Sequence, residues 1–454
     1  MKKIERRASV CFLLALFLLA GMGLFLVRYG TEGGSWVSAA FNRHLYDSSG
    51  QLASGTVLDR DGDPLSFVEN GKRTYHESAD VRKSTLHVVG DLQGNIGTGA
   101  LNAFADQLTG YNRLNGAFGA APGNELYLTI DARYHYEAYR ALDGRPGAVA
   151  VYNYKTGEIL CLVSSPAYDP LNVPADLETN EAYHGAYLNR ALSSVFTPGS
   201  IFKTVTLEAA IEQIPDLFQR SWHCDGSTQI GGERITCSGV HGDQNIGEAF
   251  SHSCNVVFAQ LAQELGGETL MEYAEKAGLT ERRTVDGLPT GCGSVDLKGA
   301  SDARVAWAGV GQDQDLVNPL AMMVYMGAIG GGGTAAEPYL VERIQGSLGL
   351  PSLPKHHGKT VTLVEPDTAA TLAEMMSDNV KNSYGAKRFP NMDLCAKSGT
   401  AEVGGGKPHA WFTGFLRNEE TPYAFVVLVE HGGGGSSVAG TVAGKVLNVM
   451  VNGY

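Results

Sequence analysis

Near the middle of the chain runs Thr197-Pro198-Gly199-Ser200-Ile201-Phe202-Lys203. Proline and glycine break the preceding element, and apolar residues then recur with helical spacing, which predicts a buried helix. Ser200 would lie at its N-terminus, where the helix dipole stabilises an alkoxide, with Lys203 one turn further on the same face. A serine with a lysine three residues later is typical of an activated nucleophile. Taken alone, a helix cap followed by a surface lysine explains the same pattern.

A second candidate is Ser253-Cys254-Asn255, which separates helical patterns at 246–251 and 256–265. A tight connection between helices projects side chains into a cleft. A hydroxyl two residues from a carboxamide can relay a proton and bind a substrate amide. The simpler interpretation is that Ser253 or Asn255 caps the following helix.

A third candidate is Lys397-Ser398-Gly399-Thr400, inside a strand pattern. Lys397 supplies positive charge, and the hydroxyls of Ser398 and Thr400 can bind a carboxylate. Gly399 lets a ligand lie close to the backbone. The alternative is a solvated edge strand with a protective lysine.

Hydrophobic periodicity predicts an α+β fold, in which helices flank a mostly antiparallel sheet. Helices are predicted at residues 101–108, 132–142 and 438–451, in addition to those around the motifs. Strands are predicted at 55–58, 86–89, 126–130, 147–152, 158–164, 394–403, 411–417 and 423–430.

The N-terminus and the net charge restrict the protein's surroundings. Basic residues precede an uncharged run at 10–27, which is long enough to span a bilayer with the basic flank in the cytoplasm. A cleaved signal peptide, cut near Ser38-Ala39-Ala40, is the alternative. We expect a cytoplasmic tail at 1–9, a membrane anchor at 10–27, a membrane-proximal module at 28–123 and the main domain at 124–454, outside the cell membrane. A net charge of −13 argues against nucleic-acid binding.

The order S-x-x-K, S-x-N, K-[ST]-G resembles the penicillin-binding proteins. Within that family the chain is similar to the membrane-anchored, monofunctional class B transpeptidases, and most to the compact penicillin-binding protein A group. Further matching segments are 55–62, 128–131, 147–149, 155–160, 164–170, 309–312, 319–320 and 409–415. The chain departs from the family pattern at Ser54, where the family usually has arginine, and at His252 before the second motif.

The resemblance implies a serine-type D-Ala-D-Ala transpeptidase of the penicillin-binding and serine β-lactamase fold. It implies five catalytic residues: Ser200, Lys203, Ser253, Asn255 and Lys397. It implies substrate binding by Ser398, Gly399 and Thr400.

The resemblance also implies a role for each catalytic residue. Ser200 would attack the penultimate D-Ala of a peptidoglycan stem, with Lys203, kept neutral by burial and by Lys397, as the base. Ser253 would pass the proton to the departing D-Ala, and Asn255 would orient the peptide amide. The backbone N–H groups of residues 200 and 400 would form the oxyanion hole.

The expected partners are peptidoglycan stem peptides, β-lactams, the cell membrane and other wall-synthesis membrane proteins. These would include a separate glycan polymerase, because the region before the transpeptidase domain is too short for a glycosyltransferase. Two alternatives stay open: a D,D-carboxypeptidase or β-lactamase-like hydrolase, and a non-catalytic scaffold.

No cofactor and no metal are expected, because the histidines are scattered and the sequence has no C-x-x-C. Cys224 and Cys237 flank a glycine-rich hairpin and could form a disulfide.

Overall fold

The computed structural model describes residues 2–37, 52–110, 123–346 and 358–453. The suggested cleavage site at 38–40 and most of the predicted domain boundary at 119–124 lie outside these residues. The α-helices are α1 Lys2–Val37, α2 Ala79–Val89, α3 Ala100–Ala103, α4 Ala105–Leu108, α5 Ala132–Leu142, α6 Arg190–Ser193, α7 Lys203–Gln213, α8 Ile246–Ser251, α9 Asn255–Lys276, α10 Asp302–Gly309, α11 Pro319–Gly330, α12 Pro366–Asn379 and α13 Gly440–Asn452.

Short 3-10 and π-helical turns also occur, and two of them border the site described below: Gly199–Ile201 and Val380–Tyr384. The strands are β1 Thr56–Leu58, β2 Pro64–Glu69, β3 Lys72–Tyr75, β4 Glu125–Leu128, β5 Gly147–Asn153, β6 Ile159–Ser165, β7 Trp222–Cys224, β8 Ser227–Ile230, β9 Glu233–Thr236, β10 Gly242–Gln244, β11 Thr284–Val285, β12 Leu288–Pro289, β13 Thr334–Ala336, β14 Val341–Gln345, β15 Thr360–Thr362, β16 Leu394–Ala401, β17 His409–Leu416 and β18 Tyr423–Val429.

The main sheet has the order β16-β17-β18-β5-β6, and every neighbouring pair is antiparallel. Its strands are nearly continuous apolar runs, because helices cover both faces. Helix α11 packs on one face, and α5 and α13 pack on the other. The predicted α+β fold, an antiparallel sheet flanked by helices, is confirmed.

A helical layer beside α11 carries the first two sequence motifs. Helix α7 packs against α9, which in turn packs against α10. The first two turns of α7 are buried on all sides, including Lys203 and Glu208. Residue 203 is therefore held by the packing of the core and not by a solvated helix surface.

A second sheet, in the order β14-β4-β1-β2-β3, joins strands from both sides of residue 123. Strand β1 pairs in parallel with β4, and β4 pairs with β14. A buried ion pair adds to this connection, because Arg82 on α2 donates two hydrogen bonds of 2.7 Å to Asp169. The membrane-proximal region is thus bonded to the rest of the chain, and the division at residue 123 stays a prediction.

One secondary-structure prediction is wrong. Residues 86–89 belong to helix α2 and not to a strand, and the hydroxyl of Ser78 caps that helix. The C-terminal half of α2 is buried on nearly every face, so apolar residues 86, 88 and 89 are not restricted to one side of the helix.

Among the described residues, one helix is long and apolar enough to cross a membrane. It covers Lys3–Gly33 within α1, and none of its most apolar part is buried against the protein. It contains the run at 10–27 that was predicted to be an anchor.

Candidate active site

Ser200 lies in the 3-10 turn Gly199–Ile201, which leads directly into α7. The α-helix itself begins at Lys203, three residues later than predicted. Gly199 has φ 56°, and a Cβ there would lie 2.7 Å from the carbonyl oxygen of Thr400. Its N–H donates to the carbonyl of Gly311 at 2.8 Å. The turn is therefore fixed between strand β16 and the segment 309–312, with the Ser200 side chain half-buried.

Lys203 is fully buried and points toward the second motif. Its Nζ lies 2.6 Å from the carbonyl oxygen of Ser253, 3.2 Å from Ser253 Oγ and 2.7 Å from Asn255 Oδ1. These contacts exclude the interpretation of Lys203 as a surface lysine.

Ser253 occupies the sharp connection between α8 and α9. Its φ is 55°, a left-handed conformation that non-glycine residues adopt rarely and at a cost of about 1–3 kcal/mol. The hydroxyl oxygen also accepts a hydrogen bond from Lys397 Nζ at 3.0 Å. Ser253 Oγ therefore bridges two buried amines.

Asn255 is the first residue of α9. The helix has Cys254 as its N-cap and no side-chain capping bond, so neither Ser253 nor Asn255 acts as a cap. The Asn255 Nδ2 group donates to the carbonyl of Thr236 at 2.8 Å, which leaves Oδ1 turned toward Lys203. The amide orientation is thus fixed from both ends.

The third motif lies on β16, at the edge of the main sheet. Lys397 is fully buried, so it is not a solvated protective lysine. A Cβ on Gly399 would lie 2.9 Å from the carbonyl oxygen of Pro198, which explains why glycine brings this strand so close to the Ser200 turn. Ser398 is half-buried, and Thr400 is exposed beside the cleft.

Burial controls the charge of the two lysines. Desolvation lowers the pKa of Lys203 from 10.5 to about 7, although the thiols of Cys237 and Cys254 act in the opposite direction. Desolvation also lowers the pKa of Lys397 well below its usual value, and the charge of Lys203 adds to this effect. Two ammonium groups that contact the same hydroxyl repel each other. The pair therefore favours the state in which only one of the two amines is charged.

A cavity of about 350 Å³ opens over these residues. It is lined by Ser200, Thr236, Asn255, Trp307, Val310, Gln312, Asp313, Thr400 and Glu402. The structure thus brings the three motifs together: Ser200, Asn255 and Thr400 line the cavity, and Lys203, Ser253, Asn255 and Lys397 form one hydrogen-bonded cluster.

Several residues at the site were not predicted. Trp307, Gln312, Asp313 and Glu402 line the cavity, and Gln312 belongs to a segment that already matched the family pattern. The hydroxyl of Tyr384 accepts the Ser398 N–H at 2.9 Å and so holds strand β16 at the third motif. Nothing in the sequence around Tyr384 indicates this contact, because the π-helical turn that places it is visible only in three dimensions.

Comparison with known proteins agrees with this arrangement. The sequence profile of the penicillin binding protein transpeptidase domain matches residues 147–448. The peptidoglycan D,D-transpeptidase PbpA of Mycobacterium tuberculosis is 30% identical over 349 residues, which cover 70% of each chain. Stage V sporulation protein D of Bacillus subtilis is 28% identical over 72% of this chain and 53% of its own length.

Solved structures show the same similarity. The ceftriaxone acyl-enzyme complex of penicillin-binding protein A from M. tuberculosis superposes with a TM-score of 0.77 at 25% identity, over 88% of this chain and 98% of that one. The profile match covers well over half of the sequence, and the fold and the three motifs coincide with it. The chain therefore belongs to the penicillin-binding protein transpeptidase family, as a class B member of the PbpA type.

Proposed function

We infer that this protein is a peptidoglycan D,D-transpeptidase that cross-links stem peptides through an acyl-enzyme on Ser200. One observation carries the mechanism: Ser253 Oγ lies 3.2 Å from Lys203 Nζ and 3.0 Å from Lys397 Nζ. This buried cluster includes Asn255, which lines the same cavity as Ser200. The relative PbpA is a peptidoglycan D,D-transpeptidase, and the similar solved structure is a β-lactam acyl-enzyme complex, which supports the same activity and β-lactam acylation here.

In the acylation step, Ser200 Oγ bonds to the penultimate D-Ala carbonyl carbon, and its proton moves to neutral Lys203. The bond to the terminal D-Ala nitrogen then breaks. Lys203 returns the proton through Ser253 Oγ, which delivers it to the departing amine. The contacts of Lys203 with Ser253 support this relay.

The substrate's carboxylate determines which lysine keeps the positive charge. The carboxylate binds at Ser398 and Thr400, next to Lys397. An opposite charge raises the pKa of Lys397, and a charged Lys397 then disfavours charge on Lys203. Binding of the correct substrate thus leaves Lys203 neutral and able to accept the proton from Ser200.

The charge that develops on the carbonyl oxygen is stabilised by the backbone N–H groups of Ser200 and Thr400. Each such donor contributes about 3 kcal/mol to transition-state stabilisation in enzymes of this kind. The close packing of Gly199 against Thr400 supports this pairing, because it brings the two backbone segments together.

In the second step, the amine of another stem peptide attacks the acyl carbon and gives its proton to Lys203. The bond between the acyl carbon and Ser200 Oγ then breaks, and Lys203 passes the proton to Ser200 Oγ, which restores the hydroxyl. Helix α1 anchors the enzyme in the cell membrane, with the catalytic domain outside, where peptidoglycan lies. Other membrane proteins of wall synthesis, including a glycan polymerase, supply the strands to be cross-linked.

The test incubates the full chain in detergent with a stem pentapeptide and a labelled D-amino acid acceptor. We expect the label to replace the terminal D-Ala in wild type and not in Ser200→Ala. Release of the tetrapeptide without incorporation would assign the protein to the carboxypeptidases. If wild type forms neither product, and Ser200→Ala still complements a deletion of the gene, the protein would be assigned a scaffold role.

A further inference from the structure

Three cysteines and one histidine meet directly beside the catalytic cluster. They are Cys224 at the end of β7, Cys237 after β9, His241 before β10 and Cys254 at the N-cap of α9. One ligand atom from each, three sulfurs and an imidazole nitrogen, lies within 4.8 Å of all the others. All seven cysteines of the chain carry free thiols, so Cys224 and Cys237 form no disulfide.

We propose that Cys224, Cys237, His241 and Cys254 bind one zinc ion, which holds the loop carrying Ser253 and Asn255. This inference goes beyond the transpeptidase activity. The sequence predicted no metal, because its histidines are scattered and it has no C-x-x-C. The four residues follow the wide spacing C-x12-C-x3-H-x12-C.

The distances between the ligand atoms fit a tetrahedral zinc site. With Zn–S bonds of about 2.3 Å and a Zn–N bond of about 2.1 Å, two sulfurs lie about 3.8 Å apart, and a sulfur and a nitrogen about 3.6 Å apart. The Sγ atoms of Cys237 and Cys254 are 3.8 Å apart, and Cys237 Sγ is 3.6 Å from His241 Nδ1. A disulfide would require about 2.05 Å.

The surrounding hydrogen bonds indicate thiolates. The backbone N–H of Asn255 donates to Cys237 Sγ at 3.2 Å, and Gln244 Nε2 donates to Cys254 Sγ at 3.0 Å. Both sulfurs can be ionised in this half-buried to buried position only beside a cation, because a buried thiolate needs a compensating charge.

Residues outside the four ligands complete the site. Gln244, which donates to Cys254, also contacts His252 Nδ1 at 3.2 Å. The His252 ring stacks on that of His241, with centroids 5.0 Å apart. This connects the unusual histidine before the second motif with two of the ligands, in the way that outer residues orient metal ligands.

The position of Cys254 indicates which part of the chain the zinc ion stabilises. Cys254 lies between Ser253 and Asn255, and Ser253 has a strained backbone. A zinc–sulfur bond at Cys254 ties this connection to the segment 222–244, to which Asn255 is already bonded through Thr236. Zinc thus holds the two side chains that contact Lys203.

Metal analysis of the purified full chain, grown with zinc and kept reduced, tests the proposal. We expect about one zinc per chain in wild type and in Cys292→Ser, whose exposed thiol lies outside the cluster, and loss of zinc in Cys237→Ser and His241→Ala. Full zinc in both ligand variants, or a zinc-free wild type, would overturn the proposal.

Cobalt(II) exchanged into the wild-type chain keeps the test independent of variant folding. We expect thiolate-to-cobalt charge-transfer bands and the absorption of a tetrahedral site. A wild type that gives neither, or whose peptides contain a disulfide between Cys237 and Cys254 after native purification, refutes the zinc site.

Discussion

Lys203 Nζ and Asn255 Oδ1 lie 2.7 Å apart, although 52 positions separate the two residues in the chain. Helices α7 and α9 pack against each other, and this packing joins the first motif to the second inside the protein. The amide of Asn255 cannot turn away, because its Nδ2 group is bonded to Thr236. The position of the buried Lys203 amine is therefore determined by helix packing.

Replacing Lys203 with methionine tests its role as the base. Lys203→Met keeps most of the buried volume and removes the amine, so we expect penicillin acylation to slow by about 10²–10⁴ while the thermal midpoint does not fall. Stopped-flow acylation and thermal unfolding measure the two quantities. Lys155→Ala, an exposed lysine in the β5–β6 turn, is the control and should acylate normally. A near-normal rate in Lys203→Met would require another base.

The pH dependence of acylation also tests the role of Lys203 as the base. Burial disfavours the ammonium form, so the pKa of Lys203 falls from 10.5 to about 7. Below that pH the amine is protonated and cannot accept the Ser200 proton; above it the amine is free. We expect the second-order rate constant of acylation, which reports the free enzyme, to rise through about pH 7 and then level off, and this inflection to be lost in Lys203→Met. A flat wild-type profile would contradict the account.

The shared hydroxyl of Ser253 predicts coupling between two substitutions. Ser253→Ala removes the hydroxyl of the proposed relay, and Lys397→Met removes an amine that is bonded to this hydroxyl. Their effects on acylation should therefore combine to less than the sum of the two free-energy changes. A double-mutant cycle on the acylation rate constants gives the coupling. Strict additivity would show that Lys397 does not act through Ser253.

The ion pair of Arg82 and Asp169 predicts a stability effect away from the site. Arg82→Met leaves a buried carboxylate without its partner, and such losses cost about 3–5 kcal/mol. Arg140→Met, which removes an exposed pair with Glu137, should cost less than about 1 kcal/mol. Urea unfolding measures both.

The same pair gives a pH dependence of known sign. The Arg82 guanidinium lowers the pKa of Asp169 in the folded state, so the stabilisation is complete above the usual aspartate pKa of 3.8. It decreases as the pH falls below that value toward the lower folded pKa. The free energies of unfolding of wild type and Arg82→Met should therefore differ less in acid than at neutral pH. A difference that stays constant with pH would contradict this assignment.

The sequence predicted the main fold well, because its strands and helices depend on local patterns. The strands of the main sheet are apolar runs between turns, and Asp131 caps α5 as predicted. The eight motif residues were named in advance from their order, and the structure places them around one cleft.

The remaining features depend on contacts between distant segments. The helix at 86–89 was missed because its apolar residues are not restricted to one side of the helix. The cluster of Cys224, Cys237, His241 and Cys254 could not be predicted from its spacing, because three short strands and a loop bring the four residues together. The pairing of β1 with β4, which lie on either side of residue 123, could not be predicted for the same reason.

The most direct test of the central claim is to locate the covalent penicillin adduct. Full-length wild type, Ser200→Ala and the control Ser193→Ala, an exposed serine at the end of α6, are incubated with labelled penicillin and analysed by intact and peptide mass spectrometry. We predict one adduct on the peptide that contains Ser200, in wild type and in Ser193→Ala, and none in Ser200→Ala. A covalent adduct retained by folded Ser200→Ala would contradict the assignment of Ser200 as the nucleophile.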